Sequence, residues 1–277
     1  MRRLQIKELT SPLQLAYIGQ NFDLLVAEAK HTKMSHADFM IDALSKEIEQ
    51  RLERRMQRRI REAKFPFRKY LQDLDLGCYK KQVQDKIEEL MSLDFISDKE
   101  NVILVANSGR GKTHLAIGLG IAACLKDKRV LFTNVPNLVI ELKEAMSRME
   151  VTAYKNKFER YDLVIVDELG YVSFDKEGCD ILFNLISNRI TSGPMILTTN
   201  LAFTEWETVF KDPHLTAAIV DRIAREAHVM DMSGQSYRLE ETKSWLKRKG
   251  KTAENGDPYS SSYGDGMATI NVEGGQP

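Results

Sequence analysis

Lys112, Thr113, Asp167 and Glu168 are the residues whose types and spacing most directly suggest chemistry. Lys112 and Thr113 close the segment Ala106-Asn107-Ser108-Gly109-Arg110-Gly111-Lys112-Thr113, and His114 follows at once. A β-branched run, Val102 to Val105, leads in, and an alanine-rich helical stretch, Leu115 to Leu125, leads out. Strand, glycine-bearing loop and helix in that order are the setting of a phosphate-binding loop. Glycines let successive N–H groups turn inward around an anion, and the helix brings its positive end to the same point. Lys112 would reach the outer phosphates of ATP, and the Thr113 hydroxyl would hold Mg²⁺. One residue departs from the G-x-x-x-x-G-K-[ST] pattern: Ala106 occupies the first glycine position, which requires that it keep a negative φ.

Asp167 and Glu168 end the apolar run Y-D-L-V-I-V-D-E. Ligands of an open α/β sheet sit beyond the carboxyl ends of its strands, so both acids are expected to face residues 106–113. Asp167 would complete the Mg²⁺ shell, while Glu168 would orient and activate a water. A third strand, M-I-L-T-T-N, ends in Asn200, an uncharged amide able to sense a γ-phosphate or position that water. In A-A-I-V-D-R-I-A-R-E-A, Arg222 is either a surface arginine paired with Asp221 or Glu226, or a group that reaches a neighbour's nucleotide.

The elements that must position these groups are legible around them. Apolar runs at Val102–Ala106, Val130–Thr133, Leu163–Asp167, Met195–Thr199 and His228–Met232 alternate with helical segments, which predicts a parallel sheet covered on both faces. Residues 1–66 read as a small all-helical domain. Leu15, Ile18, Phe22 and Leu25 mark one buried helix face, and Leu44, Ile48, Leu52, Met56 and Ile60 mark a second, on a helix opened by a Ser35/Asp38 capping box. Residues 67–100 form a linker with an extended, aromatic start and a short helix from about Gln82 to Met91. The core spans 101–247. Residues 248–277, rich in Ser and Gly, read as disordered.

Bulk composition narrows the class. With 277 residues, 43% hydrophobic and 29% charged, the chain suits a soluble protein with one main domain and appendages. No apolar run reaches membrane-spanning length, and the basic N-terminus lacks a secretory apolar core. Three scattered cysteines suggest neither a disulfide framework nor a zinc site, so a cytoplasmic protein is expected. Net charge is zero, but its distribution is uneven. Arg51, Arg54, Arg55, Arg58, Arg59, Arg61 and Lys64 face only Glu53 and Glu62 along one helix, and a second basic run covers Lys243 to Lys251. Either could be a solvated face or a contact for phosphate backbone or an acidic partner.

Taken together, Y-D-L-V-I-V-D-E-L-G-Y, T-N-L-A-F-T-E-W-E-T-V-F-K-D-P, A-A-I-V-D-R-I and G-Q-S-Y-R-L resemble the IstB family of AAA+ ATPases, which assist an insertion-sequence transposase. The likeness runs from about Leu13 to Lys247 and includes F-P-F-R-K-Y-L-Q-D-L-D-L. The core is also similar to the helicase loader DnaC and, more distantly, to the initiator DnaA. The resemblance implies an AAA+ three-layer sandwich with a five-stranded parallel sheet. It puts Arg222 in the arginine-finger position and Arg238 in that of a second nucleotide sensor. It further implies self-assembly through shared ATP sites, double-stranded DNA as the substrate surface, and an IstA-like transposase as partner. Two other functions share these motifs: a replicative helicase loader, and a nucleotide-stabilised interaction module that does not hydrolyse.

Overall fold

The computed structural model describes residues 2–170, 174–225 and 227–233. Three helices open the chain: α1 (Arg2–Thr10), α2 (Ala16–His31) and the long α3 (His36–Glu62). Ser35 caps α3, its hydroxyl accepting from the Asp38 N–H at 3.2 Å and donating to the Asp38 carboxylate at 2.7 Å. The aromatic linker is not extended but folds into short 3₁₀ turns at Leu71–Asp73 and Leu76–Cys78, leading to α4 (Lys81–Met91) and α5 (Asp94–Ser97). Its Leu71, Leu74 and Leu76, with Phe65 just before it, are drawn in because they pack against one side of the core.

From there strands and helices alternate: β1 (Asn101–Val105), α6 (Lys112–Leu125), β2 (Val130–Asn134), α7 (Val135–Ser147), α8 (Val151–Glu159) and β3 (Leu163–Leu169). The rest are α9 (Lys176–Ser192), β4 (Met195–Thr199), α10 (Glu207–Phe210), α11 (Pro213–Arg225) and β5 (Ala227–Asp231). All five strands are parallel, in the order β2-β3-β4-β1-β5. Side chains alternate between faces, so Val102 and Leu104 enter one apolar cluster with α4 and α6 while Ile103 enters another with α7, α9 and α11. Burial on both faces is why these strands read as unbroken apolar runs. The result is the three-layer α/β sandwich that the motifs imply.

The last turn of α3 belongs to this core. Ile60 and Ala63 join the α6-side cluster, and the Ala63 carbonyl accepts the Phe132 N–H at 2.8 Å, covering part of the exposed edge of β2. Further up, the expected buried stripe does not hold: Leu44, Ile48 and Leu52 are 41%, 58% and 45% exposed. The face of α3 turned toward α2 presents Ala43 and Glu47 instead. Glu47, 2% exposed, accepts the Ile18 N–H near the start of α2 at 3.0 Å and pairs with Arg51 at 3.1 Å. A carboxylate at a helix N-terminus satisfies donors that leucines could not. Among the described residues no helix is long and apolar enough to cross a membrane.

Candidate functional site

The loop between β1 and α6 turns at Gly109 (φ 81°) and Gly111 (φ 80°), both in the left-handed region. A side chain at Gly111 would also strike the Tyr79 hydroxyl, 2.5 Å from the added Cβ, so backbone strain and crowding both select glycine. Ala106 is not among the positive-φ residues; it is buried and donates its N–H to the Thr199 carbonyl at 3.2 Å. Alanine therefore meets the condition set for that position. Gly111 is the N-cap of α6, whose first turn points its free N–H groups into the loop.

Lys112 is 7% exposed, and its ammonium bonds to the Ala106 and Asn107 carbonyls at the base of the loop. The Thr113 hydroxyl lies 3.0 and 3.1 Å from the two Asp167 carboxylate oxygens. These contacts bring the loop and the acidic strand together, as their sequences suggested. The acids do not end their strand, however. β3 continues to Leu169, and its pairing with β4 runs from Val166↔Leu197 to Leu169↔Thr199, so Asp167 and Glu168 together oppose Thr198. That is a β-bulge, a device that re-aims side chains beside active sites.

Thr198 holds the bulge from across the sheet. Its hydroxyl donates to Asp167 and accepts the Glu168 N–H at 3.0 Å. Glu168 sits at φ 67°, a left-handed conformation that costs a non-glycine residue on the order of 1 kcal/mol. Gly170 (φ 105°) completes the turn; a side chain there would collide with Leu201 at 2.5 Å. Asn200 directly follows β4, its Oδ1 buried and without a hydrogen-bond partner among the described residues. A buried acceptor left unpaired is an exception in folded proteins and fits a site completed by a bound donor such as water.

Asp167 is 4% exposed, and burial pushes its carboxyl above the usual range, against the hydroxyls of Thr198 and Thr113 and the charge of Lys112. A carboxylate whose ionised form the fold penalises, next to a threonine hydroxyl, is an oxygen donor pair suited to a hard divalent cation such as Mg²⁺. The sign of the linkage follows. With its folded pKa raised, this group contributes less stability as pH climbs from the unfolded to the folded value, and the deficit persists at neutral pH. Asp167→Asn is thus expected to keep or raise the melting temperature of the nucleotide-free protein by a few degrees at neutral pH, read in a thermal scan. A fall of several degrees would mean that the carboxylate's hydrogen bonds outweigh its burial.

Other residues predicted for the site are placed differently. Asn107 and Ser108 lie exposed at the crown of the loop. Arg110 turns away from it: buried, it donates from Nε to the Met232 carbonyl at 3.0 Å and lies over the Tyr79 ring at 5.2 Å. Tyr79 in turn donates to the Arg110 carbonyl at 2.7 Å, so the pair braces the loop against β5 and the linker. The His114 ring meets the Tyr70 carbonyl at 2.9 Å. Arg222 is exposed on α11 and makes no ion pair among the described residues, with Asp221 or otherwise. Arg238 and the run Lys243 to Lys251 lie outside the described residues. Thr198 and Tyr79 were not singled out from the sequence; the T-T-N triplet was the available signal for Thr198.

The basic helix is partly neutralised. Arg55 and Arg59 share Asp127 at 3.1 and 3.0 Å, Arg58 pairs with Glu62 at 2.7 Å, and Lys64 approaches Glu141 at 3.7 Å. Arg51 is held by Glu47 and the Gln14 carbonyl. Arg54 and Arg61 make no ion pair among the described residues.

Residues 8–244 match the family model described as IstB-like ATP binding protein. The chain belongs to that family. It is 32% identical over 229 residues to an ATP-binding protein of insertion sequence IS232 from Bacillus thuringiensis subsp. berliner, covering 83% of this chain and 92% of the relative. It is 31% identical over 257 residues to its counterpart in insertion sequence IS21 of Pseudomonas aeruginosa, covering 92% and 95%. Among solved structures, the AMPPCP-bound initiator DnaA from Aquifex aeolicus aligns with a TM-score of 0.51 at 16% identity, over 65% of this chain and 54% of that one. DnaI aligns at 0.50 and 20% identity, over 61% and 90%. These likenesses show the fold, which is that of the AAA+ proteins. The sandwich and the loop thus belong to an ATP-binding family found with insertion sequences.

Proposed function

We propose that this IstB-like chain is an ATPase that assembles on double-stranded DNA and presents it to an insertion-sequence transposase. The observation that carries the proposal is the meeting of Thr113 and Asp167 at 3.0 Å, with Glu168 in the adjoining bulge and the unpaired Asn200 oxygen beside it. The N–H groups of residues 107–113 cradle the polyphosphate of ATP, with the positive end of α6 behind them. Lys112 exchanges its two loop carbonyls for the outer phosphate oxygens, gaining charge for dipole. Thr113 and Asp167 would hold Mg²⁺, which when bound neutralises charge on the phosphates.

Glu168 accepts a proton from a water as that water attacks the γ-phosphorus, the bond to the bridging oxygen breaks, and ADP and phosphate leave. Asn200 orients the same water through Oδ1. Arg222, exposed and without an ion pair among the described residues, reaches the γ-phosphate held by a neighbouring subunit. ATP thereby favours assembly, assembly gathers many weak basic contacts into avid DNA binding, and hydrolysis loosens it. The uncovered apolar stripe Met40, Leu44, Ile48 and Leu52 on α3 supports the N-terminal helices as the surface that meets the transposase.

Relatives carried by insertion sequences favour this partner over a replicative helicase. Fluorescence anisotropy of a labelled duplex tests the proposal. Affinity should be high with ATP, at least about tenfold weaker with ADP, and should fall steeply with salt. Equal affinity in the two nucleotides would reject the switch.

A further inference from the structure

At the end of the sheet away from the phosphate loop lies a cleft of about 380 Å³. Three segments build it: the end of α3 and the residues just after it give Arg59 and Lys64, Arg129 stands just before β2, and the end of α8 gives Lys157 with Arg160 just beyond it. Glu62 is the single acid among the lining residues, and Val130 and the half-buried Tyr161 also line the space. Leu163 opens β3 at the cleft and Asp167 lies four residues along it, so the ATP-binding end is roughly 13 Å away at about 3.3 Å per residue. The two sites are separate.

We propose that this cleft seats the phosphodiester backbone of DNA, an inference that rests on the DNA-binding reading above. Lys157 and Arg160 are exposed and make no ion pair among the described residues. Arg129 is ion-paired with Asp162 at 3.5 Å, and the two residues also lock the starts of β2 and β3: the Arg129 N–H donates to the Asp162 carboxylate at 2.7 Å and the Asp162 N–H to the Arg129 carbonyl at 2.8 Å. Arg59 is held by Asp127 at 3.0 Å and by the lining Glu62 at 4.0 Å, and Lys64 lies 3.7 Å from Glu141, so acids in and beside the cleft fix these cations in place. Arginine forks set at fixed angles suit phosphate oxygens.

Five cations against one acid among the lining residues suit phosphate groups, whose contacts position a nucleic acid without reading its bases. Arg59 and Lys64 also belong to the basic stretch 51–64. Arg55, one turn before Arg59 on α3, shares Asp127 with it, so basic groups extend along the helix beyond the cleft, which favours a long polyanion over a small phosphate ester. Backbone capture here would be independent of sequence and strongly salt-dependent.

The test uses the full chain with both Lys157 and Arg160 replaced by glutamate, and a random-sequence labelled duplex, with ATP and Mg²⁺ present. DNA affinity should drop by tenfold or more, and the slope of log K against log salt should shrink by about 1.8, or 0.9 for each lost phosphate contact. ATP turnover without DNA should match wild type. Lys157→Gln with Arg160→Gln should give an intermediate loss, which keeps the test valid if charge reversal disturbs folding. Wild-type affinity and slope in both variants would overturn the cleft, while the DNA reading would survive if Arg54→Glu with Arg61→Glu abolished binding. Loss of inorganic tripolyphosphate binding with unchanged DNA affinity would assign the cleft to a small phosphate ligand and also overturn it. A wild-type chain that binds no duplex in ATP would instead reject the underlying reading.

Discussion

Glu168→Gln is expected to lower ATP turnover by about 10²- to 10⁴-fold while ATP stays bound. Glutamine fills the same space but cannot accept the water's proton. Nothing else in the bulge needs the carboxylate. Thr198 bonds the Glu168 backbone N–H and not its side chain, and the left-handed φ of 67° strains glutamine as much as glutamate. Asp167 and Thr113 keep their contacts, so nucleotide affinity should change less than threefold. The variant should stay on DNA in ATP for far longer than wild type, because release depends on hydrolysis. Steady-state phosphate release, together with titration of a fluorescent ATP analogue, separates the two effects. Turnover near the wild-type rate would remove Glu168 from the chemistry.

Arg222→Ala is expected to cost about 10³-fold or more in turnover, the range over which a supplied arginine acts on phosphoryl transfer. The side chain is exposed and makes no ion pair among the described residues, so its removal should leave the melting temperature within about a degree of wild type. A large loss of rate without loss of stability separates a functional arginine from a structural one. Mixing supplies the sharper readout. Arg222→Ala subunits keep Glu168, and Glu168→Gln subunits keep Arg222, so each inactive protein has what the other lacks. If the arginine acts across a subunit junction, the mixture should recover a substantial share of wild-type turnover. Two inactive proteins that stay inactive when mixed would place the missing group within one chain, or nowhere.

Much of this molecule is legible in its sequence because burial on both faces leaves the strands no choice but apolar. Four of the five strands lie within a residue of where the runs at 102, 130, 195 and 228 put them, and β3 starts at Leu163 as expected but runs two residues past Asp167. The phosphate loop is readable for a related reason: only glycine takes φ 81° and 80° beside a bulky tyrosine at little cost. The bulge at Asp167 and Glu168 was hidden, since it depends on a hydroxyl thirty residues later in a neighbouring strand. The orientation of the Arg110 side chain was hidden in the same way. Motif position leaves the Arg110 N–H in the loop, while its carbonyl and guanidinium are fixed by Tyr79, Cys78 and Met232. Periodicity on α3 identified a real stripe but not what covers it. Glu47, a residue that patterning assigns to water, takes the inward position because α2 offers it backbone donors.

The proposal that ATP joins subunits on DNA is open to one direct measurement: the mass of the Glu168→Gln protein on duplex DNA by light scattering, with ATP, with ADP and with no nucleotide. A multi-subunit species that forms with ATP and DNA together, and collapses toward single chains in the other two conditions, is the predicted result. The same mass in all three would contradict it.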